Sequence, residues 1–410
     1  MKKIIIEGGH PLVGNVAVSG SKNAALPIIF SCILTNGISE IKNLPDIGDV
    51  RIALQIISSL GANVNKEGDV TYIDTRNLSY RTPDASLVSK IRASTYLIGS
   101  CLSRFGKCVL MPFGGCDFSA RPIDMHISAC LSLGGSIYGN TIKAEKLRGG
   151  EINFGKPSVG ATVNAILLSA SADGDSVIRG CAIEPHIDSL IEFINSCGGE
   201  VGRQGKEVFV KGKELHGGKI TIIGDMIEAG TYLAAGLMCD SKISVSDCPI
   251  CDMTSVLDAF RLLGSRVLID GSSVSLAHGA SSNFLSLKAK PHPGFPTDLQ
   301  PIFAPLMARL SGGKICDEVW PSRFGYFDAL SSFGVRSTRC SNEAKVHISE
   351  IKSGRATAPD LRGGMACILC ALFAKGKSEI YSADMILRGY ENLEEKLCSL
   401  GAKIKIENIT

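Results

Sequence analysis

The chain has 410 residues, enough for two to three domains and a sizeable core without disulfide support. Hydrophobic residues make up 45% and charged residues 20%, with 43 Lys and Arg against 40 Asp and Glu, which excludes a disordered chain, a basic nucleic-acid groove and a polybasic membrane patch. No apolar run reaches the ~18–20 residues of a bilayer span. Ala24–Leu34 and Ala366–Ala374 are the longest, and Glu7 interrupts Ile4–Ile6 too early for an export signal. The expectation is a cytoplasmic protein whose 15 cysteines are reduced and mostly serve as small buried hydrophobes.

Val16–Val18 reads as a strand and runs through Ser19-Gly20-Ser21-Lys22-Asn23-Ala24 into an apolar helix. A Gly/Ser turn opening a helix offers backbone N–H groups to an anion, and Lys22 adds a point charge; a capped helix with a solvated lysine fits the same residues. Amphipathic Val50–Leu60 ends at Gly61, before β-prone Asn63-Val64. Within Pro112–Pro122, Gly114-Gly115-Cys116 precedes Arg121 by five residues. Cys116 reads either as a reactive thiol on a lid, its thiolate favoured by Arg121, or as one more structural cysteine. Lys156-Pro157-Ser158-Val159-Gly160-Ala161-Thr162 is a second candidate anion cradle, or an ordinary helix cap.

Further on, Ile187–Cys197 is amphipathic and stops at Gly198, and Gly224–Gly230 forms a joint near mid-chain. Pro291, Pro293 and Pro296 rigidify the approach to Asp298, which is a general-base candidate or a helix-capping aspartate. Arg323, Arg362 and Arg388 together suggest a polyanionic substrate, since an arginine fork matches carboxylate and phosphate. The Cys248/Cys251 and Cys367/Cys370 pairs lie more than a hundred residues apart, the second in an apolar helical run; core packing is favoured over zinc, and no metal is expected.

One pattern recurs six times: an amphipathic segment, a glycine, then a β-prone stretch. The glycines are Gly61, Gly134, Gly198, Gly264, Gly334 and Gly401, spaced by 73, 64, 66, 70 and 67 residues, so six repeats of about 68 residues nearly exhaust the chain. Each glycine reads as the left-handed residue that stops a helix. Units of this length carry a partial core, and six of them make two domains of three or one ring of six. Two three-repeat halves would place a ligand at the domain interface.

In combination and order, Ser19–Asn23, Gly114-Gly115-Cys116 with Arg121-Pro122, Lys156–Thr162, Phe295–Gln300, Asp360-Leu361-Arg362 and Arg388-Gly389-Tyr390 resemble the enolpyruvyl transferases, in the branch acting on UDP-N-acetylglucosamine. Ile91–Ser94, Arg104–Gly106, Glu184-Pro185 and Ile227–Thr231 agree, so the resemblance runs end to end. It implies a two-domain inside-out α/β barrel, each domain of three βαβαββ repeats: domain 1 over 21–225 with the Cys116 loop, domain 2 over 1–20 plus 226–410, and the active site in the cleft between them.

The implied reaction moves the enolpyruvyl group of phosphoenolpyruvate to the 3-hydroxyl of UDP-N-acetylglucosamine and releases phosphate, the first committed step of peptidoglycan synthesis. It needs no cofactor or metal and involves no nucleic acid or membrane. By the same resemblance Cys116 protonates the donor methylene and is open to fosfomycin, Asp298 is the base, and Lys22, Asn23, Arg121, Arg323, Arg362 and Arg388 bind phosphoenolpyruvate. Lys22 and Arg388 also count as catalytic. Arg92, Arg121, Pro122, Ile123, Asp124, Met125, Lys156, Pro157, Ser158, Val159, Asp298 and Val319 would line the acceptor site. Phe113, Met226, Ser322, Pro359 and Leu387 depart from the family pattern, leaving a paralog with another acceptor, or a non-catalytic nucleotide-sugar binder, as alternatives.

Overall fold

The computed structural model describes residues 2–115, 122–277 and 283–409. All six repeat glycines have positive φ, between 85° and 103°. They follow helices Gly48–Ser59, Asp124–Ser132, Pro185–Ser196, Thr254–Leu262, Tyr326–Ser331 and Leu393–Ser399. Strands Asn63–Glu67, Ser136–Tyr138, Glu200–Gln204, Arg266–Asp270, Arg336–Cys340 and Lys403–Asn408 then begin within two residues. A left-handed residue is the cheapest way to stop a helix and reverse the chain, which is why glycine recurs at this register.

The chain divides into two compact units, residues 20–223 and residues 1–19 with 224–410. Asp225 falls in the second because its carboxylate caps helix Met226–Met238, accepting from the N–H groups of Ile227 and Glu228.

In the unit 20–223, helix Leu97–Phe105 packs on helix Val159–Ala170, which is buried from Ala161 to its end. A four-stranded sheet has the order Lys219–Thr221, Ile38–Lys42, Val70–Asp74, Asn63–Glu67, its first pair parallel and the other two antiparallel. A second sheet, Glu151–Asn153, Asp175–Arg179, Glu207–Lys211, Glu200–Gln204, repeats that pattern. A third joins Lys107–Val109, Thr141–Lys143 and Ser136–Tyr138.

In the other unit, helices Met226–Met238, Gln300–Leu310 and Leu361–Phe373 pack on one another and are buried along almost their whole length. Helices apolar on every side belong in the middle, and strands with one apolar face belong around them. Leu285–Ala289 shows that strict alternation of buried and exposed residues. The helices are therefore inside and the sheets outside, in the two-domain inside-out α/β arrangement.

Sheet Leu285–Ala289, Gly313–Asp317, Glu343–His347, Arg336–Cys340 keeps the parallel, antiparallel, antiparallel pattern. In the sheet of the last repeat the third place is taken by Lys2–Gly8, lying between Gly376–Tyr381 and Lys403–Asn408 with Ile4 opposite Ile380 and Ile406. Gly14–Ala17 pairs in parallel with Ile243–Ser246, so both early strands complete this unit.

The helix-stopping glycines differ in their surroundings. A Cβ at Gly401 would meet nothing nearer than Pro11 O at 3.5 Å, whereas one at Gly334 would lie 2.5 Å from Glu350 O. Gly401→Ala should therefore cost about 1–2 kcal/mol of unfolding free energy from left-handed strain alone. Gly334→Ala should cost distinctly more; equal urea-unfolding losses for the two proteins would contradict this.

Candidate active site

In the second unit three expected residues converge. Asp298 lies two residues before helix Gln300–Leu310, whose N-cap position is Leu299, so the aspartate does not cap it. Its Oδ1 accepts from Arg323 Nη1 at 2.7 Å, and its Oδ2 accepts from Arg362 Nε and Nη2 at 3.4 and 3.3 Å. The arginine side chains are 5% and 1% exposed and Asp298 is 26% exposed, so the carboxylate is the part of this cluster that faces outward.

Each arginine is fixed by its local chain. Arg362 is the second residue of helix Leu361–Phe373, whose cap Asp360 accepts from the N–H groups of Arg362 and Gly363. Its guanidinium sits 5.2 Å from the centre of the Tyr390 ring, and Tyr390 Oη bonds Thr231 Oγ1 at 2.9 Å. The carbonyl of Arg323 accepts from Gln300 Nε2, and Gln300 Oε1 accepts from Tyr326 Oη. Burial pulls both arginine pKa values down. For Arg323 the charges of Asp298 and Asp360 more than offset it; for Arg362, Tyr390, Asp298 and Asp225 do so. Both therefore stay cationic. Removing one member of such a buried set typically costs ~3–5 kcal/mol, because it strands an opposite charge.

Two further side chains join this cluster that the sequence reading did not single out. Thr297 Oγ1 donates to Asp317 Oδ2 at 2.6 Å and accepts from Arg323 Nη1 at 3.3 Å. Asp317 Oδ1 accepts from the N–H groups of Val319 and Trp320. Burial pushes the Asp317 carboxyl up, against these hydrogen bonds and Arg323. Val319, an expected acceptor-site residue, is thus held by Asp317, while Arg388 is half-buried in the turn before Tyr390.

In the unit 20–223, Lys22 opens helix Lys22–Ser31 and Ser21 gives it no side-chain cap. The lysine is not a solvated residue: its side chain is 14% exposed and Nζ lies 3.4 Å from Asp49 Oδ2. Asn23 is half-buried beside it. The turn needs Gly20, because any Cβ there would run into the carbonyl of Asn43.

A hollow of about 340 Å³ in the same unit is lined by Asp124, Met125, Ser128, Asn153, Phe154, Gly155 and Lys156. Three of the expected acceptor-site residues therefore share one concavity. Pro157 follows Lys156 directly, and Ser158 caps helix Val159–Ala170 through Ala161 N–H. Pro122 and Ile123 precede Asp124, and Arg92 is half-buried in the turn Arg92–Tyr96. A larger hollow of about 600 Å³ at the Glu200–Gln204 strand contains none of the expected residues; it is mainly apolar, and its Glu200 is already paired with Lys211 and Lys213.

Cys116 and Arg121 lie outside the described residues. Among the described residues no group of three or more His, Cys, Asp or Glu side chains is placed to hold a metal ion. Cys367 and Cys370 are buried in helix Leu361–Phe373, with burial pushing their thiol pKa values up. No described helix is long and apolar enough to cross a membrane.

His126 lies on the helix Asp124–Ser132, which begins with Asp124 and Met125. Its Nδ1 lies 2.7 Å from Asn164 Nδ2, Asn164 also bonds Thr95 O, and Asn164 Oδ1 accepts from Gly99 N–H. Burial, with Arg92 adding to it, pulls the imidazole down to about 4 from the ordinary 6.5. The folded chain then holds the ring neutral while the unfolded chain takes up a proton, so stability falls as pH drops from 6.5 toward 4. Between pH 7 and 4.5 the wild type should lose about 2 kcal/mol more than His126→Gln, measured by urea unfolding; parallel losses would remove His126 as the cause.

The model of the EPSP synthase (3-phosphoshikimate 1-carboxyvinyltransferase) family matches residues 6–397. The chain is 37% identical to the UDP-N-acetylglucosamine 1-carboxyvinyltransferase of Prosthecochloris aestuarii over 100% of its own length and 99% of that protein. It is 36% identical to the protein of the same name from Clostridium botulinum, over 98% and 99%. Among solved structures it superposes on the enolpyruvyl transferase NikO from Streptomyces tendae with a TM-score of 0.89 at 22% identity, covering 100% and 99% of the two chains. An EPSP synthase from Acinetobacter baumannii gives 0.73 at 14%, with both chains fully covered. With a family match across nearly the whole chain and relatives well above 30% identity over full length, the chain belongs to the EPSP synthase family of carboxyvinyl (enolpyruvyl) transferases.

Proposed function

We propose that this protein transfers the enolpyruvyl group of phosphoenolpyruvate to the 3-hydroxyl of UDP-N-acetylglucosamine, releasing phosphate, as the first committed step of peptidoglycan synthesis in the cytoplasm. The observation that carries the reading is the pair of buried guanidiniums focused on one outward-facing carboxylate, in a chain collinear with relatives named for this reaction. Arg323 and Arg362 are cations suited to a donor carboxylate, and Lys22, Asn23, Arg121 and Arg388 are assigned to the donor, chiefly its phosphate.

The chemistry is addition followed by elimination. A proton goes to the donor methylene carbon, making it a methyl, and one leaves the acceptor hydroxyl as the C–O bond forms; phosphate then departs from the tetrahedral ketal as a proton leaves that methyl and restores the double bond. We assign delivery of the carbon proton to Cys116. Asp298 is assigned removal of the hydroxyl proton; as the partner in two ion pairs it is a carboxylate, the form that accepts one. The acceptor is assigned to Asp124, Met125 and Lys156, which share one hollow, and to Arg92, Pro122, Ile123, Pro157, Ser158, Val159 and Val319.

Purified protein should release phosphate from phosphoenolpyruvate with UDP-N-acetylglucosamine, and not with UMP, shikimate-3-phosphate or no acceptor. Turnover with a different acceptor would keep the transfer and reject the acceptor; binding without turnover would reject the enzyme assignment. Cys116→Ala should lose phosphate release and fosfomycin labelling together, and unchanged release would reject the thiol's role.

A further inference from the structure

We propose that Asp317 is the positioning residue of this site, acting through Thr297 and Arg323 on Asp298 and through the backbone of Val319 and Trp320 on the acceptor loop. Its side chain is wholly buried and bonds Thr297 with one oxygen and the N–H groups of Val319 and Trp320 with the other. What it does is fix the direction of a chain of hydrogen bonds.

A carboxylate can only accept. Thr297 must therefore give its hydroxyl proton to Asp317 Oδ2, which leaves the Thr297 oxygen as an acceptor facing Arg323 Nη1. That nitrogen carries two hydrogens, and the other goes to Asp298 Oδ1. The Arg323 fork is thus located from one side by Thr297 and from the other by Asp298. The second oxygen of Asp317 accepts from two successive backbone N–H groups, at 2.9 and 2.8 Å, which sets the turn carrying Val319.

An amide at position 317 has nearly the same shape but the wrong polarity. With its oxygen on Val319 and Trp320, its NH2 group points at Thr297, whose oxygen then meets donors from both sides while its own proton loses its acceptor. The conflict falls on Arg323 and, through it, on Asp298. Both arms rest on the transfer reaction proposed above for their functional consequence, but the geometry of the first arm is independent of it.

The test uses the full-length protein with Thr297→Val, Thr297→Ser, Asp317→Asn and the double variant T297V/D317N. T297V should lower kcat by about 10²-fold, as an ångström-scale misplacement of a reacting group does, with little change in acceptor KM. T297S, which keeps the hydroxyl, should recover most of that loss. D317N should show the same fall in kcat together with a roughly tenfold rise in acceptor KM, from the disturbed Val319 turn. The double variant should be no slower than D317N, because both changes cut one relay. Additive losses, or equal kcat losses in T297S and T297V, would overturn the proposal. A crystal structure of T297V should show Arg323 Nη1 withdrawn from Asp298 Oδ1. If it still makes that bond the relay is refuted whatever the acceptor proves to be, and if wild-type protein turns over no acceptor, only the assigned reaction fails.

Discussion

Two guanidiniums share one carboxylate in the second unit, and this charge arrangement constrains much of what surrounds it. A pair of buried cations with a single anion is one negative charge short, and the deficit is met by groups that also serve as helix caps. Asp360 opens the helix that carries Arg362, yet its charge is felt by Arg323; Asp225 opens helix Met226–Met238, yet its charge supports Arg362. The starts of two central helices and the arginines of the site thus form one electrostatic body. Moving either helix would disturb the forks, which is how a site assembled from distant segments keeps a fixed shape.

The repeat architecture was legible because its signal is local. A helix stop, a glycine and a strand start lie within a few residues of each other, and all six copies have the left-handed backbone that the residue type implies. The grouping of helices inside and sheets outside came from the family resemblance, since a fully apolar helix has no face by which its sequence could orient it. Gly363 and Gly364 show what that interior requires: a Cβ at Gly364 would lie 2.6 Å from Ile386, and one at Gly363 2.7 Å from Tyr326. In the sequence these two read only as neighbours of an arginine.

The site was legible as a set of residues and much less as a geometry. Asp298, Arg323 and Arg362 stand out through prolines, glycines and motif order, but nothing in their spacing says that they form one ion-pair cluster. Asp317 lies at an ordinary strand end, Cys316-Asp317-Glu318, and Thr297 is the residue between Pro296 and Asp298, with nothing local to mark it. In the sequence Lys22 fits an anion or open water equally, and its companion Asp49 sits 27 residues away at the start of another helix. The His126–Asn164 contact likewise joins two helices. Such partners are chosen by tertiary packing, which composition and periodicity do not encode.

The strand Lys2–Gly8 has a bearing on how the polypeptide emerges during synthesis. Its N-terminal amide at Lys2 bonds Asp384, 382 residues away, and both of its ladder partners belong to the last repeat. Residues 20–223 form one compact unit and can consolidate while translation continues. Throughout that interval Ile4-Ile5-Ile6 has both hydrogen-bonding edges open, in a segment whose apolar, β-branched character favours pairing with any other exposed strand. The sheet that closes the second unit is thus also the one whose first strand must wait longest, and protection of that strand on the nascent chain is a demand that the topology places on the cell.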